Sequence, residues 1–214
     1  MKKILFLILF LFPLCTLMAQ EKEILSKLDA KADFYGDLAR KIWSNPELGY
    51  LETNSSLLLQ KTLSDAGFKV SAGVAGIPTA FVAEYGSGKP VIGIMAEFDA
   101  LPGVSQEAVS VRKPVVVGGA GHACGHHLFG AASVAAGISV MDWMKANKIK
   151  GTVRVYGTPA EEGGGEAKVR KPQGGLERRL RALRRRGGRT RCQVTNVMLR
   201  INFDINMLAS TAMM

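Results

Sequence analysis

The sequence predicts an α/β domain, with a mostly parallel but mixed sheet flanked by helices, over residues 20–169 of a 214-residue chain. Three observations predict it. Stretches of helical periodicity alternate with short apolar runs of strand length. Two of those runs end on acidic residues, the place where open α/β sheets bind ligands. The composition, 47% hydrophobic and 21% charged, is that of a folded globular chain and excludes wholesale disorder. Three cysteines are too few for a disulfide scaffold.

Taken in order, residues 21–43 place Ile24, Leu25, Leu28, Ala32, Leu38, Ala39 and Ile42 at helical intervals with no proline. One helix is expected there, ending by Asn45-Pro46. Thr53 or Asn54 is placed to cap a second helix through Leu57, Leu58, Leu63 and Ala66, with Gly67 to close it. Residues 81–85 and 91–96 read as buried strands joined by a turn at Gly86-Ser87-Gly88-Lys89. That turn mimics a phosphate-binding loop but carries Pro90 where Ser or Thr is required and Ala83 where the first Gly belongs. Residues 125–146 form a helix rich in Ala and Gly, small enough to pack closely. Residues 152–156 form a further strand that closes on Thr158-Pro159.

The two ends read differently. Residues 1–19 have the pattern of an export signal: Lys2 and Lys3, an apolar run of nine from Ile4 to Phe12, then Ala19 before Gln20. The run is well short of the ~20 residues a spanning helix needs. A periplasmic or secreted mature chain with no stable membrane anchor is expected. The net charge of +10 belongs almost wholly to the other end. Residues 1–169 carry 17 basic and 16 acidic residues, and residues 170–214 carry 11 and 2. The charge therefore says nothing about the partner of the main domain. The arginine-rich stretch of residues 170–214 reads as a disordered tail or as the product of a shifted reading frame. A nucleic-acid or anionic-membrane surface is the alternative, and the export signal argues against nucleic acid.

Chemistry concentrates in three places. The only three histidines fall within Gly121-His122-Ala123-Cys124-Gly125-His126-His127. A Cys and a His two apart at a helix start can turn toward one cation, and both suit zinc-like ions. The helix N-terminus is also expected to keep the thiol ionised. Alone, such a cluster could be a polar cap around an inert Cys. Thr158-Pro159-Ala160-Glu161-Glu162-Gly163 puts adjacent carboxylates just past a strand, where one can bind a metal and the other serve as a base. Ala96-Glu97-Phe98-Asp99-Ala100-Leu101-Pro102 supplies further acids at a second strand end. Cys124 as nucleophile, with His126 or His127 as base, is the rival enzyme reading.

With Trp43-Ser44-Asn45-Pro46-Glu47-Leu48-Gly49-Tyr50, these stretches resemble the amidohydrolase branch of the aminoacylase and carboxypeptidase-like co-catalytic metallopeptidases. Within that branch they look most like the p-aminobenzoyl-glutamate hydrolase group. The resemblance covers about residues 22–169 and implies part of a three-layer metallopeptidase catalytic domain. It implies hydrolysis of an amide bond in an N-acyl amino acid or aminobenzoyl-glutamate-like substrate. It also implies two divalent ions, zinc or manganese, and a homo- or hetero-oligomer. Carried over by position, Cys124, His126 and Glu162 are metal ligands, Glu161 is the general base and Asp99 the acid that orients the site. His122 and His127 fall to supporting or structural roles. The family supplies two further histidine ligands, and no His follows position 127 here. The chain is therefore expected to hold at most one ion weakly and to be an inactive fragment.

Overall fold

A computed structural model describes residues 21–163. The expectations for the export signal, residues 1–19, and for the arginine-rich stretch, residues 170–214, lie outside the described residues. No described helix is long and apolar enough to cross a membrane.

The helix expected over residues 21–43 is two. Residues 21–29 are helical, residues 30 and 31 form a turn, and α1 follows as Ala32–Trp43. At the break the Lys31 N–H bonds three residues back to the Leu28 carbonyl, 2.9 Å. Ala30, Lys31 and Ala32 all favour helix, so nothing local marks the break. The buried face of α1 is Tyr35, Leu38, Ala39 and Ile42, the spacing of one helical stripe. Helix α2 is Thr53–Ala66, and Gly67 closes it in the left-handed region, φ 108°. Its start differs from expectation, because neither Thr53 nor Asn54 caps it. The Glu47 carboxylate accepts the N–H groups of Asn54 (3.0 Å) and Ser55 (2.8 Å) instead. Burial pushes the Glu47 carboxyl up, but these donors outweigh it and hold the group below the usual range.

The sheet holds four described strands: β1 Lys69–Ala72, β2 Phe81–Ser87, β3 Val91–Ala96 and β4 Gly151–Gly157, in spatial order β1-β2-β4-β3. Strand β1 is only four residues long and lies mostly exposed at an edge, so its brief apolar alternation, Val70 and Ala72, is too short to mark it as a strand. The sheet is mixed. Among the described residues the parallel pairing is confined to β3 and β4, while β1–β2 and β2–β4 run antiparallel.

Val70, Ala83, Val155 and Ile94 stand in register across one face of the sheet. That face packs on α2 and on α3, the latter being His126–Ala146, with α1 packed against these helices, in one core with Leu59, Phe98 and Met141. Gly130 through Ile138 of α3 are all buried. The small residues expected there serve close approach: a Cβ on Gly137 would lie 2.5 Å from a Val155 methyl. Strands β3 and β4 are the two arms of a strand–helix–strand unit around α3. Being parallel, they end at the same edge of the sheet, and the chain enters α3 at that edge too. Everything chemically notable converges there.

Candidate metal centre

Strand β3 ends at Ala96 and releases Glu97 and Asp99; β4 ends at Gly157 and releases Glu161 and Glu162. The two ends stay aligned because the Thr158 N–H continues the ladder onto the Ala96 carbonyl, 2.9 Å. Between them stands the first residue of α3, His126, only 4% exposed. Its Nδ1 lies 2.8 Å from Asp99 Oδ1. Its Nε2 faces Glu97 at 3.4 Å, Glu161 at 3.8 Å and Glu162 at 3.9 Å. Asp99, 2% exposed, uses its other oxygen to accept the Glu162 backbone N–H at 3.1 Å. One buried carboxylate thus orients both the imidazole and the turn bearing the paired glutamates.

Two groups of donor atoms come together, each within 4.8 Å of one another: Cys124, His126 and Glu162, and Glu97, His126 and Glu161. The first is the set named from sequence as metal ligands. Glu161 and Asp99 stand beside it. His122 and His127 belong to neither group. They lie buried with ring centroids 5.1 Å apart, and burial first of all pushes their pKa values down to about 4 and about 3. Both are neutral at pH 7.

Sequence reading missed three acids. Glu97 was visible as a strand-end acid, but nothing distinguished it from Asp99 as a donor. Glu47 and Glu52 carried no local signal, because their partners lie far along the chain.

The electrostatics fit a cation. Glu162 beside Cys124, then burial, then the charges of Glu161 and Glu97 push the thiol up to about 11. The expected ionised thiol is therefore overturned, since the helix N-terminus is outweighed by three nearby carboxylates. Burial lowers the His126 pKa, but Asp99, Glu97 and Glu162 together raise it above the ordinary value. Burial raises the Asp99 pKa, but His126 and the Glu162 N–H leave it lowered. A soft sulfur, a neutral imidazole nitrogen and carboxylate oxygens crowded together are the donor set of a zinc-like ion, whose charge relieves that crowding.

The fold and this donor set define a class: an α/β protein with a candidate metal centre at the carboxyl edge of its sheet. The chain belongs to the peptidase family M20/M25/M40, which residues 93–199 match. That range runs past Val169, where the recognisable motifs end. The chain is 45% identical over 138 residues to a subunit of the p-aminobenzoyl-glutamate hydrolase of Escherichia coli, covering 64% of this chain and 29% of that protein. It is 36% identical over 135 residues to thermostable carboxypeptidase 2 of Saccharolobus solfataricus, covering 62% and 33%. Among solved structures, the Bacillus subtilis YXEP protein, a dinuclear metal binding peptidase of the M20 family, matches with TM-score 0.52 and 27% identity. That match covers 62% of this chain and 36% of the other. The chain thus spans about a third of the length of the relatives it matches.

Proposed function

We propose that this chain carries the sulfur–imidazole–carboxylate part of the metal centre of an amidohydrolase. The substrate class is an N-acyl amino acid or an aminobenzoyl-glutamate-like compound. The observation that carries the reading is the meeting of Cys124, His126 and Glu162 from separate stretches of chain. The 45% identity to the E. coli hydrolase supports the amide class.

Cys124, His126 and Glu162 would hold a divalent ion, zinc or manganese, which supplies Lewis acidity for polarising an amide carbonyl and acidifying water. Asp99 accepts the Nδ1–H of His126, which fixes the tautomer with its Nε2 lone pair toward the cluster. Glu161 takes the proton of the attacking water and returns it to the leaving nitrogen as the C–N bond breaks. Two ions are proposed for the full-length protein. The two donor groups share His126, whose Nδ1 is engaged by Asp99, and a single Nε2 cannot serve two ions. The described residues therefore suit one ion at a time. The sequence of residues 1–19 supports export to the periplasm or beyond, and the E. coli relative's being one subunit of its enzyme supports an oligomer.

The thiol-hydrolase reading finds no support, because a thiol pushed to about 11 is almost wholly protonated at pH 7. The test is to load the 214-residue chain with zinc or manganese, measure bound metal, and assay N-acyl amino acids and p-aminobenzoyl-glutamate. Metal uptake reversed by EDTA and lost in Cys124→Ser is expected, with turnover far below the roughly 1–10³ s⁻¹ of ordinary enzymes. No uptake overturns the metal centre, and turnover in the ordinary range overturns the incomplete-site reading.

A further inference from the structure

The segment Glu47–Glu52, which the chemistry above does not use, touches both acid-bearing turns. Its Glu47 carbonyl accepts the Ala100 N–H at 2.8 Å, next to Asp99, and Leu48 pairs with Ala100 as a parallel bridge. At its other end Glu52 is 0% exposed. Glu52 is the N-cap residue of α2, yet its side chain makes no capping bond, since Glu47 does that work. The Glu52 carboxylate reaches away. Oε1 accepts the Ala160 N–H at 2.7 Å, 108 positions along the chain, and Oε2 accepts the Thr79 hydroxyl at 3.0 Å.

Ala160 is the residue before Glu161-Glu162. It is buried and stands at φ 53°, the left-handed region that a residue with a Cβ avoids. Such a conformation persists only where the surroundings over-determine it. Two features do so. The Glu52 carboxylate fixes the Ala160 N–H. Gly49 leaves the room its Cβ needs, since a Cβ at position 49 would lie 2.8 Å from that of Ala160. The contacts close a ring: residues 47–52 hold Ala100, Asp99 holds the Glu162 N–H, and Glu52 holds the Ala160 N–H. The paired glutamates are thus clamped on both sides, by Asp99 from the β3 end and by Glu52 from beneath.

Resting on the metal-centre reading, we infer that Glu52 is a positioning residue: its buried carboxylate sets the backbone at Ala160 and so aims Glu161 and Glu162 at the donor cluster. A carboxyl side chain is suited to this because its two oxygens can take several donors at once. The geometry of the contact, and not merely a negative charge, is what matters. An Asp at 52 keeps the charge but falls one methylene short of Ala160. A Gln keeps the reach and one acceptor oxygen but no charge.

The test uses the full 214-residue chain and cobalt(II), read by calorimetry and by the thiolate-to-cobalt absorption band. Glu52→Asp is expected to weaken cobalt binding tenfold or more, while Glu52→Gln stays within threefold of the unmodified chain. Thr79→Val removes the hydroxyl's bond to the same carboxylate and leaves Ala160 held, so it is expected to lower Tm without weakening the metal. Equal affinity in a folded Glu52→Asp overturns the inference. So does a loss in Thr79→Val as large as that in Glu52→Asp, which marks a merely structural role. Should Glu52→Asp fail to fold, amide exchange on the unmodified chain decides. Cobalt and Ala160 share one coupled turn, so cobalt must slow exchange of the Ala160 N–H, and an unchanged rate overturns the inference. Cys124→Ser and Glu162→Gln separate the two claims. If both bind cobalt as tightly as the unmodified chain, the metal-centre reading falls. If both lose it while a folded Glu52→Asp does not, only the role of Glu52 falls.

Discussion

The Asp99 carboxylate bonds His126 Nδ1 at 2.8 Å with one oxygen and the Glu162 N–H at 3.1 Å with the other. The residue is buried, so both bonds form away from water. It spans the two strand ends and orients a donor on each side.

Asp99→Asn tests that bridge. An Asn offers one acceptor and one donor where the site asks for two acceptors. Either the His126 Nδ1–H or the Glu162 N–H then faces an amide N–H. Loss of a group that orients a metal-bound histidine typically costs about 10- to 100-fold in metal affinity. Zinc affinity by competition with a chromophoric chelator is the measurement, and an affinity within twofold of the unmodified chain contradicts the assignment.

The histidines predict an acid limit to stability in the metal-free chain. His122 and His127 have folded pKa values of about 4 and about 3, below the unfolded 6.5. The unfolded chain binds their protons first. Their contribution is fully present above about pH 6.5 and is lost as pH falls toward 4, at up to about 1.4 kcal/mol per pH unit for each group. His126 runs the other way: its pKa is raised, so its contribution is present below about 6.5 and is lost as pH rises through the folded value. Thermal unfolding in EDTA is expected to show a maximum near pH 6.5, and His127→Phe to flatten the acid side. An unchanged Tm from pH 6.5 to 4.5 contradicts this.

The thiol predicts a proton coupling. With its pKa at about 11, Cys124 enters any metal complex by losing a proton. Zinc binding is expected to release about one proton at pH 7 and to strengthen about tenfold per pH unit from that group. Cys124→Ser is expected to take about one proton off the count along with most of the affinity. Calorimetry in buffers of different ionisation enthalpy counts the protons, and an equal count in both chains argues that sulfur is no ligand.

How much of this was legible depended on how far apart the partners lie. Cys124, Gly125 and His126 carry their chemistry within three residues, and Glu161 and Glu162 sit side by side, so residue type and spacing exposed them. The parallel pair β3–β4 followed from a strand–helix–strand run whose helix is rich in small residues, and it explains why those stretches meet. Glu52 was invisible because Thr79 and Ala160, which make its burial tolerable, stand 27 and 108 positions away. Glu47 stood in a stretch that carries the family resemblance, but its capping role was hidden because its donors lie in the next helix. Strand β1 was missed because Lys69-Val70-Ser71-Ala72 owes its conformation to pairing with β2 and not to a buried apolar face.

The adjacent glutamates offer the sharpest discrimination, because they are chemically identical and differ only in where the turn aims them. Glu162 completes the group with Cys124 and His126, whereas Glu161 falls with Glu97 and His126. Both side chains are about a third exposed, so changing either to Gln leaves no buried orphan and the fold is expected to survive. If sulfur anchors the ion, Glu162→Gln removes a ligand and costs at least about tenfold in zinc affinity, near 1.4 kcal/mol, while Glu161→Gln costs less than threefold. Any residual hydrolysis should respond in the opposite order. Glu161→Gln removes the base and lowers turnover about 10²- to 10⁴-fold at undiminished metal content. Equal losses of metal in the two variants would mean that the turn does not separate the roles, and a larger loss in Glu161→Gln would exchange them.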